Sequence, residues 1–228
     1  MKTVCLTPVF INMIGSSTET LNFTLRPMRY PDVSAVVQIH TEGFPNSRST
    51  KLGKPFLRKM YRWFLSNYPD LAIVAAADGQ LLGFVTGGIG GSSSRIFRYA
   101  FLEIVWGFLR HPGLFLQAGM FEAWRAYLAA LAPWRGRAAP AAQPAPAPVK
   151  ATLDSIAVSN HARGKNVGQA LVGAFEDAAR RQGATYLRLG VEYDNTAARR
   201  LYETCGWELE REDAAHNSTN YIKVIRRV

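Results

Sequence analysis

The run ATLDSIAV, residues 151–158, has the length and character of a buried strand. It passes through SNHARGKN into a helix over about 166–182, which Gly183 ends. Gly183 suits the position just past a helix terminus, where the backbone turns left-handed. Strands that alternate with helices in this way imply a mixed sheet covered by helices on both faces.

The rest of the chain repeats the alternation. NFTLRP predicts a first strand at about 22–27, closed by Arg26-Pro27. Pro31-Asp32 opens a helix with Val33, Val36, Val37 and Phe44 on one face. A second helix is expected at about 54–66, with Phe56, Met60, Trp63 and Phe64 at helical spacing. LAIVAAADGQLLGFVTGGI predicts a hairpin around Asp78-Gly79, a dipeptide that tight hairpin turns prefer. Beyond residue 183, TYLRLGVEY is a strand and NTAARRLYETC a short helix stopped by Gly206. WELEREDAAHNSTNYIKVIRR then closes with a strand pair.

Composition bounds the partners. With 228 residues, 48% of them hydrophobic, the chain can bury a core as one domain with an elaboration. Its net charge of +10 could serve nucleic acid, an anionic membrane surface or a polyanionic ligand. The basic residues are scattered, so no dedicated nucleic-acid patch is expected. Cys5 and Cys205 are the only cysteines, and no grouping has metal-ligand spacing. A reduced, cytoplasmic protein without a metal follows. In MKTVCLTPVFINMIG the apolar run is broken by Pro8 and Asn12, so residues 1–21 are expected to form an N-terminal arm. No stretch of 18 uncharged apolar residues is present.

Residues 92–134 read as an inserted helical hairpin broken at His111-Pro112-Gly113. Its first helix sets Arg95, Arg98, Glu103 and Arg110 on one arc, leaving Ile96, Phe97, Phe101, Ile104, Val105 and Phe108 on the rest. Residues 135–150 are a Pro/Ala-rich linker, extended because proline cannot continue a helix. The hairpin could be a lid, a homodimer surface or, through 95–131, a peripheral contact with a membrane. A stripe packed on its own domain is the plainer reading.

The loop after residue 158 has the makings of an anion site. Backbone N–H groups at the start of a helix have no intrahelical partner, and the macrodipole adds about half a positive charge. Glycines allow close approach, and Arg163 and Lys165 add charge. The spacing matches neither G-x-x-x-x-G-K-[ST] nor G-x-G-x-x-G.

Two motifs together make the signal specific. LDSIAVSNHARGKNVGQALV followed by YDNTAARRLYETCGW resembles the GNAT superfamily of acetyl-CoA-dependent N-acetyltransferases. Arg163, Gly164, Lys165, Asn166, Val167 and Gly168 resemble that family's R/Q-x-x-G-x-G/A pyrophosphate loop. Asn195, Ala198, Leu201, Tyr202, Gly206 and Trp207 resemble its N-x-x-A-x-x-L-Y-x-x-x-G-F/W helix. The resemblance implies an α/β (α+β) fold, a mixed and mostly antiparallel sheet with helices on both faces, interrupted here by the inserted hairpin. It covers 151–226 strongly and 22–90 weakly, giving an acetyltransferase domain over 22–228. The chain departs from the pattern at Asn166, where the family usually has glycine; asparagine is the residue that best replaces it in a left-handed backbone.

The resemblance also implies roles. The backbone of Ile156, Ala157 and Val158 would meet the pantetheine arm of acetyl-CoA, freed by splaying of the next strand. The amides from Arg163 through Gly164, Lys165, Asn166 and Val167 to Gly168, with Gln169 starting the helix, would cradle the pyrophosphate. Asn195 would cap the short helix and, with Ala198, border the cofactor. Tyr202 is the expected general acid, because a leaving thiolate must gain a proton and a phenol can supply it. Asp154 is the expected base, a chain of waters being the alternative; counting by two sets Asp154 on the side of Thr152 and Ile156. His40, Glu42 and Phe44 lie in the segment that borders the acceptor in this family. Cys205 reads as packing.

The expected function is direct transfer of acetyl from acetyl-CoA to a primary amine of a small molecule, for instance an amino sugar. The alternative is a non-catalytic module of the same fold that binds acyl-CoA or docks on a membrane or partner.

Overall fold

The computed structural model describes residues 22–90, 95–96, 99–110, 148–214 and 217–225. The expected arm, the second helix of the hairpin and residues 135–147 of the linker lie outside the described residues. Within them, β1 (Thr24–Pro27), β2 (Ala72–Ala77), β3 (Gln80–Ile89), β4 (Lys150–Val158), β5 (Tyr186–Val191), β6 (Glu208–Asp213) and β7 (Ser218–Val224) form one sheet. Its order is β1-β2-β3-β4-β5-β7-β6. Every neighbouring pair is antiparallel except β4–β5.

Six α-helices are described: α1 (Val33–Gly43), α2 (Arg48–Lys51), α3 (Lys54–Asn67), α4 (Phe101–Arg110), α5 (Val167–Arg181) and α6 (Thr196–Thr204). The first helix begins later than Pro31 suggests, after a 3-10 turn over Tyr30–Asp32. There the Asp32 carboxylate accepts from the Arg29 N–H at 2.7 Å and from the Arg26 guanidinium at 2.7 and 2.8 Å, which fixes the turn before α1. The short α2 is not foreshadowed by periodicity. Its single turn is capped by Ser47, whose hydroxyl accepts from the Thr50 N–H.

Alternation sorts the apolar side chains into two layers. One layer packs α1, α3 and the start of the inserted segment on Ala72, Val74, Phe84 and Ala157. The other packs α5 and α6 on Ile73, Val85, Leu153, Leu187, Leu189 and Tyr221. Ile96, Ala100 and Ile104 are buried in the first layer, and Lys59 on α3 meets the Glu103 carboxylate at 2.9 Å. This part of the apolar stripe therefore packs on its own chain. Leu102 and Trp106 stay exposed.

Two departures from regular pairing prepare the site. Between Thr86 and Gly87 the β3–β4 register jumps, pairing Ser155 with Thr86 and Leu153 with Gly87 and leaving Asp154 as the extra residue of a bulge. On the other edge, β4 pairs with β5 only from Lys150 to Leu153, whereas its pairing with β3 continues to Val158. The expected splay beside Ile156, Ala157 and Val158 is present. The mouth of the insertion is also closed by the ladder: Ile89 pairs with Ala151, and the Gly90 N–H donates to the Lys150 carbonyl at 2.9 Å.

Candidate active site

The bulge corrects one expectation. Counting by two across Asp154 would set Thr152 and Ile156 on one side, but an extra residue reverses the phase of everything after it. Leu153 and Ile156 both belong to the α5 layer, and Ala157 belongs to the α1–α3 layer. Thr152, which neighbours Leu153, and Ile156 therefore face opposite ways. Asp154 itself is exposed at the bulge.

Where β4 ends, the chain makes a 3-10 turn over Asn160–Ala162 and then the glycine loop. Ser159 anchors it, its N–H and hydroxyl both donating to the Leu82 carbonyl at 2.8 and 3.0 Å. Gly164 has φ 74° with open space where a Cβ would stand, and Asn166 has φ 59° and ψ 7°. Asn166 thus adopts the left-handed conformation that glycine would supply. It occupies the N-cap of α5 without accepting a hydrogen bond through its side chain. The first intrahelical bond runs from the Ala170 N–H to the Asn166 carbonyl, so the N–H groups of Val167, Gly168 and Gln169 lack helical acceptors. Arg163, Gly164 and Asn166 are exposed and Lys165 is half-buried. The Arg163 Nε–H donates to the Val158 carbonyl at 3.4 Å.

The two sequence motifs touch. A Cβ on Gly168 would lie 3.2 Å from Leu201 on α6 and 3.8 Å from Val158 on β4, so the start of α5 is drawn close to both. Asn195 caps α6, its Oδ1 accepting from the Ala198 N–H at 3.1 Å. Tyr202 is buried with its ring centroid 6.0 Å from those of Trp207 and Tyr221. Burial, with a smaller contribution from Cys205, pushes its phenol well above the ordinary value. The base of this arrangement is clamped by Glu176 on α5, which accepts from the Trp207 indole N–H and from the Lys223 ammonium, both at 2.7 Å. Lys223 also donates to the Cys205 carbonyl at 2.6 Å. The Cys205 thiol is partly buried and pushed up by burial and by the charge of Glu176, as a packing residue should be.

On the opposite face of the sheet, His40 is buried at the end of α1. Its ring lies 5.0 Å from that of Phe44 and 6.5 Å from that of Phe84. Burial pushes the imidazole down to about 4, so it is neutral at pH 7. Its Nδ1 is 2.5 Å from the Tyr61 hydroxyl and its Nε2 is 3.0 Å from the Ser49 hydroxyl. Glu42 is exposed and accepts from Gln38, outside this cluster. The structure thus brings His40 and Phe44 together and leaves Glu42 apart. Tyr61, Ser49 and Ser155 are residues that sequence reasoning missed. Tyr61 is not among the apolar positions expected for α3, and nothing in the sequence marks its hydroxyl as partnered.

No cluster of His, Cys, Asp or Glu able to hold a metal occurs among the described residues. Nor is any described helix long and apolar enough to cross a membrane. A family model described as the Acetyltransferase (GNAT) family matches residues 33–207. Among solved structures, Ard1 from Thermoplasma volcanium is 17% identical with a TM-score of 0.56, covering 90% of this chain and 99% of that one. A ribosomal-protein-alanine N-acetyltransferase from Brucella melitensis is 17% identical with a TM-score of 0.52, covering 88% and 99%. yncA from Salmonella typhimurium, solved with its cofactor acetyl-CoA, is 17% identical with a TM-score of 0.52, covering 90% and 95%. No curated protein matches the chain.

Proposed function

The chain belongs to the acetyltransferase (GNAT) family, and from that premise we propose that it transfers acetyl from acetyl-CoA directly to a primary amine of a small molecule, an amino sugar being one such acceptor. The observation that carries this reading is the continuity from bulge to loop. The β4 edge released by β5 after Leu153 leads into a left-handed turn at Asn166 and then to the amides that open α5. An extended amide-bearing arm fits the first of these, and a diphosphate fits the second.

Acetyl-CoA supplies an acetyl group activated as a thioester. Ile156, Ala157 and Val158 would hold its amides along the free edge of β4. The loop from Arg163 to Gly168, with Gln169, would hold its phosphates, and Asn195 and Ala198 would border it. Tyr202 stays protonated because burial disfavours the phenolate, and so holds the proton that the leaving sulfur needs. Asp154, exposed at the bulge, would take the proton that the amine sheds, directly or through water. Phe44, half-buried, would border the acceptor on the α1–α3 side of the sheet, with His40 buried behind it.

Release of free thiol from acetyl-CoA is the test, measured with glucosamine, spermidine and an alanine-initiated tetrapeptide. Turnover with a small amine is expected. Turnover with the peptide alone would overturn the acceptor class, and saturable CoA binding without turnover would favour the non-catalytic module. The loop makes its own prediction. Asn166→Ala should cost about 1 kcal/mol, since alanine tolerates φ near +60° poorly, and should weaken CoA binding. Asn166→Gly should retain both properties. Thermal unfolding and calorimetric titration with CoA would check the pair.

A further inference from the structure

We propose that the Ser155 hydroxyl accepts the N–H of the attacking amine beside the β4 bulge, with Tyr61 and His40 as positioning residues behind it. The inference rests on the acetyl-transfer reading above and deepens it on the acceptor side.

Hydrogen-bond polarity decides which group can hold the amine for attack. A primary amine attacks with its nitrogen lone pair, so a productive contact must accept from its N–H and must not donate to the nitrogen. A lone serine hydroxyl can do either. Here the hydroxyl is the head of a chain: Ser155 Oγ lies 3.4 Å from Tyr61 Oη, and Tyr61 Oη lies 2.5 Å from His40 Nδ1. His40 Nε2 lies 3.0 Å from Ser49 Oγ, which lies 3.0 Å from Ser47 Oγ, and Ser47 donates on to Thr50 Oγ1 at 3.0 Å. One direction satisfies every link. Ser155 donates to Tyr61, Tyr61 to His40 Nδ1, and His40 Nε2–H to Ser49. With its proton committed inward, Ser155 has only lone pairs to offer outward.

Burial separates the roles. Tyr61 is fully buried and His40 is 4% exposed, so neither is offered to a ligand, whereas Ser155 is half-buried. The 3.4 Å link from Ser155 to Tyr61 is long for an O–H···O bond. His40 is ringed by Phe44, Phe84, Tyr61 and Ser49, and no charged group contributes to its depressed basicity. It is a neutral acceptor for Tyr61.

The experiment is steady-state kinetics with glucosamine, spermidine and the tetrapeptide on Ser155→Ala, Tyr61→Phe, His40→Leu and His40→Asn. Ser155→Ala should raise the KM of the accepted amine about 10-fold, the worth of one hydrogen bond, and leave the KM of acetyl-CoA unchanged. Tyr61→Phe and His40→Leu should do the same, because each frees the chain to reverse. His40→Asn keeps an oxygen near the Nδ1 position and should restore the amine KM even if it melts earlier, which a purely structural role would not produce. An amine KM within twofold of wild type for Ser155→Ala, or an equal rise for acetyl-CoA, would overturn the inference while leaving acetyl transfer intact. Should wild type acetylate none of the probes, the transfer reading is what fails. The polarity is still decided by 15N NMR of His40: an unprotonated Nδ1 is expected, and an Nδ1–H tautomer overturns the chain.

Discussion

Tyr202→Phe is expected to lower kcat about 100-fold while the melting temperature and the affinity for CoA stay at wild-type values. Phenylalanine keeps the ring packed between Trp207 and Tyr221, both at 6.0 Å. Only the hydroxyl is lost. The effect therefore separates chemistry from packing. Without the phenol, the sulfur must leave as a bare thiolate in a site that burial has made inhospitable to charge. The direction of the phenol's shift adds a pH signature. Because burial raises it, wild type should show no loss of rate from Tyr202 ionisation up to pH about 10. Steady-state thiol release with the preferred amine would measure both, and a kcat within threefold of wild type would reduce Tyr202 to a core residue.

Gly87→Ala should be the most destabilising single change near the site, by about 3 kcal/mol, or on the order of 10 °C in melting temperature. A Cβ there would run into the Thr152 carbonyl oxygen and come within 2.5 Å of the Phe175 ring. A ring can turn aside, but the carbonyl belongs to β4, just before the bulge. Relief must come from β4 moving off β3, which would disturb the bulge at Asp154 and the released edge beyond it. Activity of the surviving folded protein should fall with stability. Gly173→Ala, where a Cβ meets nothing within 4 Å, is the control expected to melt at or above the wild-type temperature. Differential scanning calorimetry of the two variants decides the matter. Equal melting temperatures would mean that the β3–β4 pair yields more readily than its geometry implies.

Most of the scaffold was legible because it rests on local rules. The Asp78-Gly79 dipeptide announces a hairpin, and both residues have positive φ, 49° and 76°. Val33, Val36 and Val37 announce the face of α1 that is buried. The loop and the α6 helix were legible as motifs, and their contact through Gly168 and Leu201 follows from neither one alone. What escaped was long-range. The bulge arises from the register between β3 and β4, so alternation read along β4 alone gave Ile156 the wrong side. The Tyr61–His40–Ser49 cluster joins residues from three segments, each unremarkable by itself. Phe44 and Glu42 differ by two positions on paper, yet one packs on His40 and the other turns to Gln38.

The hydrogen bond from Gly90 to Lys150 gives the inserted segment an architectural meaning. Its two ends emerge from adjacent, paired strands, so topologically the 59 residues from 91 to 149 are one hairpin loop grown very long. Loop-closure entropy rises only logarithmically with length, each doubling costing about 0.6 kcal/mol, so the length of an insertion between paired strands adds little to the cost of closing it. Its first helix is nevertheless no passenger, since Ile96, Ala100 and Ile104 roof the layer built on α1 and α3. The near end of the insertion is thus bound to the core by the same rules as any strand.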